Sequence, residues 1–288
     1  MASASPTVLK RFVALELRRL RETAEVRREA VAERLGCVVS NVTHVENMRN
    51  LPKLAEVEVM LGMYGVPERI EAFRALVTAA RKNKDWWAEE FAGATPEWFD
   101  LLLGMERMAA QIESYDAMCV PGLFQTPEYA KALIHTGEPE LPDEEMHRQI
   151  DLRMARQDVL VRQPDPPTVW AVLDESVLLR PVGGEKVMRE QVEHLLKLVD
   201  IPTVTIQVLP LSVGMHPGMD GTFTVLTFPP EMVSDPGVAY TQSRVSAAYY
   251  EDPAQIMRYR NTLTRLQVEA LTPDKSLAHL TAYLKGAS

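Results

Sequence analysis

The sequence predicts a multidomain protein. An all-α domain of five short helices, residues 1–82, is followed by an α+β domain, residues 83–288, with an antiparallel or mixed sheet of about five strands flanked by helices. Three observations predict this. A chain of 288 residues is long for one compact core and comfortable for two. Apolar residues recur at helical spacing until the run Gln163-Pro-Asp-Pro-Pro, after which alternating, β-branched segments begin. Charge also divides: residues 1–84 hold 15 Lys and Arg against 10 Glu, while the rest is acidic enough to bring the whole chain to −9.

The first helix starts at Ser5 and Pro6, a cap followed by proline at the first helical position, and runs through Arg21 with Leu9, Val13, Leu17 and Leu20 inward. The second, Arg28 to Leu35, turns Val31, Ala32 and Leu35 inward, and Gly36 can take the left-handed conformation that stops it. A third begins near Val39 and buries Val42 and Val45, leaving Ser40, Asn41, Thr43 and His44 outward. A fourth follows Pro52 with Leu54, Val57 and Leu61, and a fifth spans Pro67 to Lys82 with Ile70, Phe73, Leu76 and Val77 inward.

Helix, glycine turn, helix is the bihelical layout that inserts its second helix into the major groove. The basic balance of this end fits such a role, because cationic side chains release counterions from phosphates and the acidic remainder would be repelled. Base reading then falls on Ser40, Asn41, Thr43 and His44, with Asn41 the best equipped. Arg27, Arg28, Arg34 and Arg49 are assigned to phosphates, which orient and hold but do not choose sequence. The alternative is a helical bundle that holds a protein instead of DNA.

Residues 83–119 read as a helical connector whose Trp86, Trp87, Phe91, Trp98, Phe99, Leu102 and Leu103 supply core area. Pro121-Gly122 to Pro127 breaks the pattern, helix resumes over Glu128 to His135, and Asp143 to Val161 forms a long amphipathic helix. Thr168 to Leu173 is the first strand and Glu185 to Val199 a helix. Thr203 to Leu209 and Thr222 to Phe228 alternate clearly, while Val238 to Gln242 and Ser246 to Tyr250 form a weaker pair. Helices over Pro253 to Ala270 and Pro273 to Lys285 close the chain. The loop Ser212 to Gly221 is too long for a tight hairpin. Met215, His216 and Met219 on it are candidates for contact with a partner or ligand, His216 reading first as a surface residue.

Several classes of function lack their signatures. Cys37 and Cys119 are too few for a disulfide framework or zinc site, and the six histidines show no metal-ligand spacing, so neither metal nor cofactor is expected. No nucleophile turn, phosphate-cradling loop or dinucleotide fingerprint is present, and adjacent Asp174 and Glu175 on a strand would face apart, so no catalytic residue is assigned and an enzymatic C-terminal domain is the lesser alternative. Gly183-Gly184 reads as a helix start. With no membrane span and no secretory leader, the expected location is the cytoplasm.

Ala-Glu-Arg-Leu-Gly at 32–36, Val45-Glu46, Arg49-Asn50, Pro52 and Tyr64-Gly65-Val66 resemble the Cro/repressor-type (XRE) helix-turn-helix. Arg27 and Arg28 stand where relatives carry a Ser or Thr cap and then Gln, and His44 and Met48 stand where they carry Arg and Gly. The longer part is similar to the regulatory domain of actinobacterial WhiJ-like proteins. The resemblance rests on Met105-Glu106, Val120 to Ala130, Arg153-Met-Ala-Arg-Gln157, Leu173 to Ser176, Arg180 to Gly184, Val208-Leu-Pro210 and Gly218 to Phe228. It implies a transcriptional regulator that binds double-stranded DNA and receives a signal from a small protein encoded by a neighbouring gene or from a small-molecule ligand. A homodimer is expected, since one short recognition helix reads too few bases.

Overall fold

Each helix of the N-terminal part starts and stops for a local reason. The structure, a computed structural model, describes residues 5–82, 84–229 and 235–286. Residue 83, where the second domain is expected to begin, lies outside them. Contacts divide the chain into two units, Met1–Glu90 with Pro229–Asp235, and Phe91–Phe228 with Pro236–Ser288.

The first unit carries α1 (Pro6–Thr23), α2 (Arg28–Leu35), α3 (Val39–Glu46), α4 (Leu54–Met63) and α5 (Ile70–Lys82), the last preceded by a 3-10 turn at Pro67–Arg69. Ser5 caps α1, its hydroxyl oxygen accepting from the Val8 N–H at 3.4 Å. The first four helices end in the same way, by a Schellman closure that satisfies otherwise orphaned carbonyls. After α2 the Cys37 N–H reaches the Ala32 carbonyl at 2.9 Å; after α3 the Arg49 N–H reaches that of His44 at 2.8 Å. The left-handed residue each closure needs is Glu25, Gly36, Met48 and Gly65 in turn, with φ of 55°, 64°, 59° and 77°. Glycine takes this conformation freely, while Glu25 and Met48 do not. The core they enclose holds Val13, Leu17, Val31, Val42, Val57, Leu61, Phe73 and Val77, all essentially without solvent contact.

The second unit runs α6 (Glu97–Met108), β1 (Gln111–Asp116), α7 (Pro127–Gly137), α8 (Asp143–Arg156), β2 (Thr168–Asp174), α9 (Ser176–Leu179), α10 (Glu185–Leu198), β3 (Val204–Leu209), β4 (Phe223–Thr227), β5 (Val238–Gln242), β6 (Ala247–Tyr250), α11 (Pro253–Glu269) and α12 (Pro273–Gly286). The sheet order is β3-β2-β1-β4-β5-β6. β3, β2 and β1 are parallel, and β4, β5 and β6 continue antiparallel, so the expected mixed sheet flanked by helices is what forms. One sheet face presents Tyr115, Val172, Phe223 and Val225 to Leu263 and Leu266 of α11. Helix α12 packs along β3 and α10.

The expected helical connector over 83–119 is corrected. Among the described residues regular helix there is confined to α6, and residues 111–116 are β1, the strand between the parallel and antiparallel halves. The sheet therefore has six strands. β1 escapes a hydrophobic reading because it is Gln-Ile-Glu-Ser-Tyr-Asp, with one aliphatic residue. It is extended because both of its edges are hydrogen-bonded to neighbours, β2 on one side and β4 on the other. The helix expected from Asp143 to Val161 ends at Arg156 and tightens into a 3-10 turn over Gln157–Val161.

Candidate functional site

The helix-turn-helix is α2, the turn at Gly36 to Val38, and α3. Ser40 and Asn41 are exposed in the first turn of α3, Thr43 and His44 half-buried beyond them. The Thr43 hydroxyl donates to the Val39 carbonyl at 3.2 Å, leaving its oxygen as an acceptor. Val38 and Val39, 64% and 37% exposed, open the same helix and can offer a base only apolar contact. Arg27, Arg34 and Arg49 are exposed; the backbone carbonyl of Arg49 accepts from Lys10 at 3.0 Å.

Arg28 is placed differently from the other three. Its Nε donates to Glu46 at 2.7 Å, and Glu46, fully buried near the end of α3, also accepts from Arg21 Nε at 2.6 Å and Nη2 at 3.1 Å. Arg21 is nearly buried and Arg28 about one-third exposed. One carboxylate thus ties α1, α2 and α3 together and sets the angle at which α3 leaves the bundle. Buried beside it, the Tyr64 phenol is pushed well above its ordinary pKa, first by desolvation and then by the Glu46 charge.

The loop candidates divide. Met215 and Met219 are 91% and 65% exposed. The His216 side chain, expected at the surface, is turned inward. Its Nδ1 accepts from the Gly218 N–H at 3.2 Å, its Nε2 lies 3.8 Å from Asp174, and its ring stacks edge-on to Tyr115. The Tyr115 hydroxyl in turn donates to Asp174 at 3.1 Å. Gly218 permits this arrangement, since a Cβ there would lie 2.6 Å from the Tyr115 ring. Asp174 and Glu175 have separate duties: Asp174 also accepts from the Ser176 N–H at 3.0 Å, and Glu175 from the Leu211 N–H at 2.8 Å. Gly183 and Gly184 directly precede α10, as a helix start requires.

Met105-Glu106, Val120 to Ala130 and Arg153 to Gln157, three of the segments that carry the family resemblance, converge in space. Glu106 on α6 and Arg156 on α8 form a bidentate pair at 3.0 and 2.8 Å, both nearly buried, with the guanidinium 4.9 Å from the Phe99 ring centre. Gln125 donates to the Val120 carbonyl at 2.6 Å and accepts from Arg153 at 3.0 Å, while Gln157 donates to the Gln125 carbonyl at 2.7 Å. Gln191 of α10 holds both the Thr126 N–H and the Phe124 carbonyl. Between this scaffold and the sheet face bearing Ser114 and Asp116 lies a cavity of about 580 Å³. Sequence reasoning missed these residues as a site because they are far apart in the chain. The only signal was that charged residues recur within the resembling segments.

Among the described residues no group of three or more His, Cys, Asp or Glu is placed to hold a metal ion, and no helix is long and apolar enough to cross a membrane. The chain matches no curated protein and no solved structure. Residues 13–76 match a family described as "Helix-turn-helix domain", which supports a DNA-binding regulatory role. Residues 99–282 match the family described as "Domain of unknown function (DUF5753)", and since that match covers more than half of the chain, the protein belongs to this family.

Proposed function

We propose that the protein is a sequence-specific transcriptional regulator of the Cro/repressor (XRE) type with a WhiJ-like regulatory domain, acting as a cytoplasmic homodimer on double-stranded DNA. The observation that carries this reading is the exposed Ser40 and Asn41 at the start of α3, on a helix-turn-helix whose exposed Arg27, Arg34 and Arg49 offer phosphate contacts. Asn41 reads a base edge, Ser40, Thr43 and His44 assist, and the arginines orient. Arg28 contributes to phosphate binding only through the part of its guanidinium left free by Glu46. The domain that begins near residue 83 dimerises and receives the signal, a small partner protein or a small molecule, and the exposed Met215 and Met219 suit contact with the protein partner.

The test is fluorescence anisotropy of the full chain on DNA from upstream of its own gene against unrelated DNA, repeated across salt concentrations. Preference for the upstream fragment with a steep salt slope is expected. Equal affinity for all fragments refutes sequence-specific regulation. Exposed Val38 and Val39 favour a second reading, a helix-turn-helix that holds a protein and not DNA; no DNA binding at low salt, with a partner captured through α3, would select it.

A further inference from the structure

The cavity of the second unit is bounded by the sheet on one side and by α6, α7, α8 and the segment 119–125 on the other, and its volume suits a drug-sized ligand. Phe99, Leu102, Phe124 and Ile134 give it apolar walls. Its charged groups differ in how they are matched. Glu106 and Arg156 neutralise each other. Arg153 is held by the neutral Gln125 amide alone, with no carboxylate partner among the described residues. Asp116, 5% exposed, accepts from the Ser114 hydroxyl at 2.6 Å and meets no cation among them.

A guanidinium without an anion and a carboxylate without a cation are each costly away from water. Desolvation draws the Arg153 pKa down to about 10, and it raises that of Asp116 to about 7. The two do not pair with each other, and both line the cavity, as does Cys119 between them in sequence. Arg153 is also preorganised, because the Gln125 side chain that accepts from it is itself bound to the Val120 carbonyl.

We propose that this cavity binds a small organic zwitterion, its carboxylate paired with Arg153, its ammonium with Asp116, and its apolar body against Phe99 and Leu102. This rests on the regulatory reading of the domain and makes its signal a small molecule. An ammonium and a carboxylate would complete the two charges that the fold leaves open.

Titration calorimetry on the full chain with L-leucyl-L-phenylalanine, its N-acetyl derivative and its C-terminal amide tests the assignment. The free dipeptide binds, and each blocked form binds about tenfold more weakly, as loss of one charge-assisted contact requires. Arg153→Gln reduces the free dipeptide to the level of the amide, and Asp116→Asn reduces it to that of the acetylated form. Without any dipeptide, both variants melt no lower than the parent chain, while Arg156→Gln melts lower. Should a variant fail to fold, the three dipeptides on the unaltered chain still decide. Absence of binding, equal binding of free and blocked forms, or lowered melting of both cavity variants overturns the proposal. DNA anisotropy of the same preparation separates the two readings: dipeptide binding without DNA binding removes only the regulator, and the reverse removes only the zwitterion site.

Discussion

Glu46 and Asp116 are both buried carboxylates, yet Glu46 accepts from two guanidinium groups and Asp116 from a single hydroxyl. Around Glu46 every charge has a partner, and the result is rigid positioning of α3 relative to α1 and α2. Asp116 and Arg153 have only neutral hydrogen-bond partners, Ser114 and Gln125, and both line the cavity. A saturated buried charge is a structural tie, because removing either partner leaves the other stranded. An unsaturated one beside a cavity is relieved either by taking up a proton, as the raised pKa of Asp116 shows, or by a ligand of opposite charge.

If Glu46 is the tie, Glu46→Ala strands Arg21 and partly strands Arg28, and it should cost about 3 kcal/mol of stability in urea denaturation along with DNA binding. A loss no greater than that of an ordinary surface substitution would erase the contrast. For Asp116 the sign is opposite. Its folded-state pKa of about 7 lies above the ordinary 3.8, so its carboxyl favours folding below pH 4, and that contribution is lost as pH rises to 7. Tyr115, Cys119 and Tyr129 are the titratable groups that feel the Asp116 charge. Asp116→Asn should therefore melt higher than the parent chain at pH 8 and match it below pH 4. A lower midpoint at pH 8 would make Asp116 structural as well.

Smaller effects sharpen the view of the N-terminal unit. Met48 holds a left-handed conformation that Gly36 adopts freely in the equivalent closure, so Met48→Gly should raise stability by about 1 kcal/mol. Asn41→Ala should alter which fragment is preferred, whereas Arg27→Ala, exposed and without a cap bond, should leave stability within about 0.5 kcal/mol and flatten the salt slope by about one unit. An unchanged slope would remove Arg27 from the phosphate contacts.

Local periodicity and capping chemistry determined most of the elements before any tertiary information entered. Ser5-Pro6 starts α1, Gly36 ends α2, and the alternating residues 204–209 form β3, because such signals act within a few residues. The exposure of Ser40 and Asn41 on α3 was legible for the same reason. Tertiary structure alone decided β1, the inward turn of His216 and the two patterns of charge. Gln111 to Asp116 becomes a central strand only when β2 and β4 pair with it, and His216 turns inward only because Gly218 lets the loop lie on Tyr115. Whether Arg28, Arg153 or Asp116 finds a partner depends on residues 18, 28 and 2 positions away brought within hydrogen-bonding distance. Charge pairing is set by distance in space, and apart from Ser114 beside Asp116, that distance arises only once the helices have packed.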